Sequence, residues 1–303
     1  MGNVRYVWGF LLAALSSLAL AQSAPVAVNP PPHTLPWPML GRGATDGMKV
    51  ASYALGPELR RGESAKEMLA ERRRLDAALD AIAPQRKGMV DAYVISVALD
   101  SDAVFAREAR EAGRVLSTRY GAQGRTLVLA GPDARTAALP RGSIGALTVA
   151  LARVAEIVDP AEDVLVVYLT SHGAPEGLAY HEGDTGYGIL SPYRLRSVLA
   201  ELGFQRRVLI VSACYSGVFV PYLAGPDTAI LTAASASTTS FGCAAENDWT
   251  FFGDALINHA LRKPQPQVSM GANVAAWLAP LDARTPKSAN APVGCPAFDP
   301  TQF

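Results

Sequence analysis

Two stretches of the sequence, VLVVYLTSHG at residues 164–173 and VLIVSACYSG at residues 208–217, predict the centre of the fold. Each begins with a continuous apolar run that has the length of a buried strand. Each run is followed by small and polar residues, which include a histidine in the first stretch and a cysteine in the second. Because open α/β folds build their sites at the carboxyl ends of strands, these two stretches mark a candidate site.

Further strands and helices alternate with these two stretches along the chain. The predicted strands lie at residues 89–99, 126–130, 164–169, 208–211 and 229–234. Helices are predicted over residues 63–82, from after Ser101 to about residue 118, after Ser143, after Ser191-Pro192, and around residues 249–257. Strands that are continuously apolar and alternate with helices are typical of a parallel sheet covered on both faces. We therefore predict an α/β sandwich with a mostly parallel sheet and helices on both faces.

The ends of the chain have a different composition. Arg5, an uncharged apolar stretch at residues 7–20 and the small-x-small site Ala19-Leu20-Ala21 are typical of a secretory signal peptide. We expect a periplasmic or secreted protein with no stable membrane anchor after signal cleavage. The predicted organisation is a signal peptide at 1–21, a Pro-rich arm with a helical extension at 22–88 (the arm proper over 22–50), a catalytic domain at 89–262 and a C-terminal extension at 263–303.

The overall charge excludes some classes of partner. The 303-residue chain has 27 Lys and Arg residues against 27 Asp and Glu residues, so its formal net charge is zero. Nothing in this balance favours nucleic acid or an anionic membrane surface as a partner. A helical stretch at residues 72–74 is basic, and we interpret it as a solvated helix face.

Three cysteines occur in the sequence, Cys214, Cys243 and Cys295. Export to an oxidising compartment permits disulfides, and an odd number leaves one thiol without a partner in the chain. If Cys214 is the working thiol, Cys243 and Cys295 are the natural pair. Three free thiols are the alternative, since the sequence does not give the separation that a bridge demands.

The histidine and the cysteine of the two central stretches are a candidate nucleophile and base. Of the four histidines, His33 lies in the Pro-rich arm, His181 in a predicted polar loop and His259 late in a helix, whereas His172 directly follows a strand. An imidazole beside Cys214 could take the thiol proton and produce a reactive thiolate. For each residue alone, a structural role in the core is the competing interpretation.

Other chemistries have weaker support in the sequence. No Cys-x-x-Cys or His-Glu-x-x-His motif is present, and a site built on His181, Glu182 and Asp184 has no recognisable zinc spacing. No Gly-x-Ser-x-Gly motif of serine hydrolases and no Walker-type phosphate loop occur. We therefore expect no metal and no cofactor.

The two motifs, in this order and about forty residues apart, resemble those of the legumain (asparaginyl endopeptidase) family. That family includes the catalytic subunit of the glycosylphosphatidylinositol transamidase and shares its fold and its His/Cys dyad with caspases. The stretch from Ser240 to Asp254 is similar to the segment that follows the fifth strand in this family, and the resemblance spans roughly residues 90–262. It implies a caspase-like three-layer sandwich and an exported bacterial member of the family.

The resemblance also implies a role for particular residues. Cys214 would be the nucleophile, His172 the general base and then acid, and the backbone N–H groups of Gly173 and Cys214 would form the oxyanion hole. Legumains bind an Asn side chain with an Arg, a Glu and an Asp, for which the matching positions are Arg107, Ser212 and Asp254. Ser212 stands where the family has Glu, which favours a basic residue rather than Asn in the pocket.

The family's His-orienting Asn has no match near Val104-Phe105-Ala106. The leading hypothesis, which the resemblance implies, is a cysteine endopeptidase that works through an acyl-enzyme and takes a peptide or protein as its substrate. The alternatives are a transpeptidase with the same dyad, a catalytically silent binding module on the same fold, and a redox or structural protein in which Cys214 pairs with another cysteine. The oligomeric state does not follow from the sequence.

Overall fold

The computed structural model describes residues 44–54, 58–60, 62–132, 137–183, 185–243 and 247–263. The strands are β1 (Glu58–Arg60), β2 (Ala92–Ala98), β3 (Thr126–Leu129), β4 (Val164–Thr170), β5 (Gly173–Ala174), β6 (Gly177–Glu182), β7 (Gly186–Leu190), β8 (Arg207–Ser212) and β9 (Thr228–Thr232). The α-helices are α1 (Asp46–Ala54), α2 (Ala65–Asp80), α3 (Ala103–Arg119), α4 (Ile144–Ile157), α5 (Pro192–Glu201), α6 (Val220–Leu223) and α7 (Phe251–Gly253). A 3-10 turn spans Ser216–Phe219, and α7 continues as a π-helix over Asp254–Ala260.

The main sheet has five strands in the order β3-β2-β4-β8-β9, and every neighbouring pair is parallel. Its central strands are buried along nearly their whole length, as the continuous apolar runs predict. Crossover segments join β2 to β3, β3 to β4, β4 to β8 and β8 to β9, as parallel strands require. The predicted mostly parallel sheet is confirmed.

Helices cover both faces of this sheet. Because successive side chains of a strand point to opposite faces, alternate residues of β2 enter two separate cores. Tyr93 and Ile95 pack on one face with residues of α2, α4 and α5, whereas Val94 packs on the other with residues of α3 and the π-helix. The result is the predicted sandwich of three layers.

Two helix starts follow the capping rules that predicted them. Ser143 Oγ accepts a hydrogen bond from the backbone N–H of Ala146 at 3.0 Å, ahead of α4. Ser191 Oγ accepts from the N–H of Arg194 at 3.1 Å, and proline holds the first position of α5. Each hydroxyl satisfies an N–H that the first helical turn leaves without a partner, so both predicted caps are confirmed.

A second sheet was missed in the sequence. Its strands lie in the order β1-β7-β6-β5 and are antiparallel, and β6 contains His181, which we had placed in a polar loop. That prediction was wrong because polar residues at the end of β6 mask a hairpin whose inner part, including Leu178 and Tyr180, is fully buried. Backbone hydrogen bonds from His181 N–H to Leu99 O at 2.9 Å and from Ser101 N–H to His181 O at 2.9 Å fasten β6 to the end of β2.

The last residues of the predicted Pro-rich arm are helical in the structure. Helix α1 begins at Asp46, where the carbonyl and hydroxyl of Thr45 both accept from the N–H of Met48, so the arm does not extend to residue 50. Helix α2 lies within the predicted helical stretch 63–82, and its Leu79 joins the core of the main sheet.

Within the described residues, no helix combines the length and apolar character needed to cross a bilayer. The predicted signal peptide, most of the Pro-rich arm and nearly all of the C-terminal extension lie outside the described residues.

Candidate active site

The histidine and the cysteine of the two central motifs lie at the same edge of the main sheet. Strands β4 and β8 are neighbours, and their register pairs Thr170 with Ser212. The N–H of Ser171 donates to the carbonyl of Ser212 at 3.3 Å, so the pairing continues one step beyond the strands. His172 and Cys214 each follow two residues after the paired positions, and parallel neighbours lie only about 4.8 Å apart.

The backbone at Gly173 lies directly against the backbone at Cys214. A Cβ atom added at Gly173 would lie 2.1 Å from the carbonyl oxygen of Cys214 and 3.2 Å from Cβ of Ala213. The first distance is far shorter than any normal carbon–oxygen contact, so a side chain at this position would separate the two strand ends. Glycine is therefore required after His172 because no Cβ atom fits there, and not because the backbone adopts an unusual conformation.

Cys214 is a free thiol that is only 2% exposed. Its Sγ accepts a hydrogen bond from the backbone N–H of Ser240 at 3.2 Å. Burial raises the pKa of the Cys214 thiol, and the backbone N–H groups of Ser240 and of Cys214 itself oppose this rise only in part. The resting thiol is therefore protonated at neutral pH, and a base must take its proton before it can attack a carbonyl.

The turn after Cys214 has an unusual backbone. Tyr215 has a φ of 54°, the left-handed region that non-glycine residues rarely adopt, and its N–H donates to Thr238 O at 2.9 Å. Gly217 follows in the 3-10 turn, where a Cβ atom would lie 2.5 Å from the backbone nitrogen of Ala236. Strain of this kind costs about 1–3 kcal/mol and persists where the surroundings enforce it, often at functional sites. The 235–240 segment enforces it here and fixes the course of the chain after the thiol.

His172 is partly buried and is held by two neighbours. Its ring meets the ring of Phe105 edge-on, with centroids 4.9 Å apart. Its Nε2 lies 3.4 Å from Oδ2 of Asp102, whereas its Nδ1 is buried and has no hydrogen-bond partner among the described residues. This leaves one ring nitrogen in contact with a carboxylate and the other available to a reacting group.

Asp102 was missed in the sequence. It precedes α3 in the N-cap position, yet its side chain makes no capping hydrogen bond. Its carboxylate is 44% exposed and faces His172 instead. The available signal was an Asp in the short segment between β2 and α3, close to the Val104-Phe105-Ala106 stretch that has no match to the family's Asn.

A buried carboxylate lies beneath the two strand ends. Glu108 of α3 is fully buried, and its two oxygens accept five hydrogen bonds from three parts of the fold. The donors are the hydroxyls of Tyr168 (2.6 Å), Thr170 (2.9 Å), Ser212 (2.8 Å) and Thr250 (2.7 Å) and the backbone N–H of Thr250 (3.1 Å). Burial, together with the charge of Glu108, raises the pKa of Tyr168 well above its usual value, so that phenol remains a donor. Glu108 thus joins β4, β8 and the start of α7.

Residues 147–275, which include both motifs, match the model of the peptidase C13 family. The predicted resemblance to the legumain family is confirmed. No curated protein matches the sequence. Among solved structures, the chain is similar to caspase-1 from Spodoptera frugiperda (14% identity, 69% of this chain and 84% of that chain, TM-score 0.42). It is also similar to the structure of pro-sf-caspase-1 (16% identity, 71% of this chain and 90% of that chain, TM-score 0.41). The peptidase C13 match supports a cysteine peptidase.

The three residues that the legumain family suggests for a substrate pocket have well-defined neighbours in the structure. Ser212 is 2% exposed and directs its hydroxyl to Glu108, so it is engaged in the buried network. Arg107 donates from Nη2 to the carbonyl of Asn247, in the loop before α7. Asp254 accepts from the side chain of Asn258 at 2.7 Å within the π-helix. These contacts place Ser212 beneath the two strand ends, Arg107 against the loop before α7, and Asp254 within the π-helix.

The remaining cysteines differ from Cys214. Cys243 is buried and disulfide-bonded, whereas Cys214 is free. Cys295, the predicted partner of Cys243, lies outside the described residues. A redox role in which Cys214 itself pairs with a cysteine therefore has no support from the described part of the chain.

Proposed function

We propose that the protein is a cysteine endopeptidase in which His172 activates Cys214. The observation that carries this proposal is the β4–β8 register, which places both side chains at one sheet edge with Gly173 against the backbone of Cys214. The thiol is buried and its pKa is raised, so a nearby base is a requirement rather than an accessory. His172 supplies it, because its Nδ1 is not engaged by any hydrogen bond in the described residues.

The proposed reaction has two halves. The imidazole of His172 takes the proton of Cys214 as the sulfur attacks the peptide carbonyl, and the N–H groups of Gly173 and Cys214 donate to the oxygen that becomes negative. The imidazolium then protonates the departing amine, which leaves a thioester on Cys214. Water attacks the thioester with His172 again as base, and the carboxylic acid product and free thiol result. An amine in place of that water would give transpeptidation from the same thioester.

Covalent labelling tests the proposal directly. We expect a peptidyl electrophile to add one equivalent of mass to the intact protein, and peptide mapping to place it on Cys214. A panel that varies the residue before the electrophile among Asn, Asp, Arg and Ala reports pocket preference in the same experiment. His172→Ala should lose the adduct, whereas His181→Gln, at an exposed histidine of β6, should retain it. A folded protein that gives no adduct with any member of the panel would instead be a silent binding module.

Asp102 is proposed as a positioning residue for the base. Its carboxylate is the polar group in contact with Nε2 of His172, so it favours the tautomer in which Nε2 carries the proton and Nδ1 accepts. We expect Asp102→Ala to lower kcat about tenfold or more, within the range that general-base catalysis contributes, and to leave KM nearly unchanged. Asp102→Asn, whose amide oxygen still accepts from Nε2, should restore most of this loss. Equal losses in both variants would contradict the role.

A further inference from the structure

Three side chains at the sheet edge form a compact set of metal-binding groups. Asp100, Asp102 and His172 each offer one ligand atom, and these atoms all lie within 4.8 Å of one another. The parallel register explains this, because β2 pairs with β4 at Ala98 and Thr170, and Asp100 and His172 each follow two residues later. No sequence motif signals this set, since its members come from two segments of the chain about seventy residues apart.

Asp100 has an oxygen that the protein leaves without a hydrogen bond. Its side chain is 1% exposed. Oδ1 accepts from the N–H of Asp102 at 2.8 Å, but Oδ2 has no hydrogen-bond partner among the described residues. The imidazole of His181 approaches Oδ2 at 3.5 Å without meeting hydrogen-bond geometry. Buried carboxylate oxygens are normally satisfied by a donor or a cation, so this atom is a second, independent indication of a ligand.

One pair of these groups has the spacing that a small transition-metal ion requires, and the third ligand atom lies within 4.8 Å of both. Zinc binds imidazole nitrogen and carboxylate oxygen at about 2.0–2.2 Å, so two of its ligands in a tetrahedral site lie about 3.4 Å apart. The distance between Nε2 of His172 and Oδ2 of Asp102 is 3.4 Å. Asp102 is 44% exposed, which gives an ion a route from solvent to the buried carboxylate of Asp100.

We propose that Asp100, Asp102 and His172 bind a zinc ion that reversibly blocks the base of the active site. A neutral imidazole has one nitrogen with a free lone pair, and the other nitrogen carries the proton. When zinc binds Nε2, the ring proton lies on Nδ1, so no nitrogen of His172 remains to accept the proton of Cys214. The blocking effect rests on the proposed peptidase function, whereas zinc binding itself does not.

Zinc binding is tested first in a protein that has no catalytic thiol. Tag-free Cys214→Ala protein should bind one equivalent of ZnCl₂ in isothermal titration calorimetry. Adding Asp100→Asn should weaken the affinity at least about tenfold, since mutations that act only on outer-shell partners already cost 10–100-fold. The Asn oxygen still accepts from the N–H of Asp102, so the fold is retained, which a thermal melt checks. Asp76→Asn, at a partly exposed carboxylate of α2 that pairs with Arg72, is the matched control and should leave the affinity unchanged.

The two possible failures are distinguishable. If Cys214→Ala abolishes zinc binding, or if Asp100→Asn leaves it intact, the site is not the one proposed. The labelling rate of Cys214 is then compared with and without zinc in the wild-type chain and in the Asp100→Asn single variant, both of which keep the thiol. Zinc should slow labelling in the wild-type chain, and chelation should restore the rate. In Asp100→Asn, the labelling rate with zinc should be nearly equal to the rate without it. If zinc binds but no condition gives labelling, the peptidase proposal fails and the metal site stands.

Discussion

Replacing Glu108 by alanine should destabilise the protein by at least about 3 kcal/mol, because it removes the acceptor of five buried hydrogen bonds. The substitution would leave the donors of Tyr168, Thr170, Ser212 and Thr250 directed into a space that is closed to solvent. Each donor that stays unsatisfied costs about 1–3 kcal/mol, and rotation of the hydroxyls recovers only part of this. Denaturant unfolding followed by circular dichroism measures the loss.

Two further variants separate charge from shape. Glu108→Gln keeps the volume but presents an amide N–H₂ to groups that already donate, so it should also destabilise, although less than alanine. Glu111→Ala lies one turn along α3, where its partly exposed carboxylate binds Arg114 and Arg262, and should cost no more than about 1 kcal/mol. A loss at Glu108 no larger than that at Glu111 would show that the five hydrogen bonds contribute little.

The position of Glu108 also connects stability to the site. Two of its donors lie close to the proposed catalytic pair. Thr170 is two residues before His172, and Ser212 is two residues before Cys214. In the legumain family the position of Ser212 carries a Glu that contributes to the substrate pocket. Here the carboxylate comes from α3, is fully buried and is saturated with donors. The buried charge therefore fixes the register of the two strand ends rather than facing a substrate.

The features that the sequence predicted well are those set by local patterns. Continuous apolar runs identified β4 and β8, and serine caps identified α4 and α5, because burial and capping act on neighbouring residues. The same runs placed His172 and Cys214 just beyond two strand ends, and the structure shows that these two strands are neighbours. The antiparallel sheet was missed because its short strands are stabilised by pairing with one another, and no single strand carries a strong pattern.

The residues that the sequence did not reveal owe their roles to contacts between distant segments. Glu108 is a charged residue on the buried side of α3, and nothing in its own helix shows that β4, β8 and α7 supply its donors. Asp102 resembles an ordinary N-cap, and only the structure shows that its carboxylate lies beside His172. Likewise, only the structure shows that Oδ2 of Asp100 has no hydrogen-bond partner among the described residues.

Gly173→Ala should reduce the rate of Cys214 labelling about 100-fold, the loss expected when reacting groups are misplaced by about 1 Å. The added Cβ would lie 2.1 Å from the carbonyl oxygen and 3.0 Å from the carbonyl carbon of Cys214. Carbon–oxygen contacts in folded proteins are about 3.3 Å or longer, so the two strand ends must separate by about 1 Å. That displacement moves the N–H of Gly173, which would hold the oxyanion, away from the thiol.

The effect should fall on reactivity more than on folding. Overpacking at one position costs about 1–3 kcal/mol, which the rest of the three-layer core can tolerate. Gly145→Ala in α4 is the matched control, because the nearest atom to its added Cβ is Ser143 Oγ at 3.9 Å. That variant should label at the wild-type rate. Gly173 has no side chain, so Gly173→Ala removes no chemical group from the site. A selective loss of labelling in this variant would therefore show that reactivity depends on the close approach of the two strand ends. Labelling at the wild-type rate would mean that the strand ends adjust freely and that the observation carrying the proposed function has no functional weight.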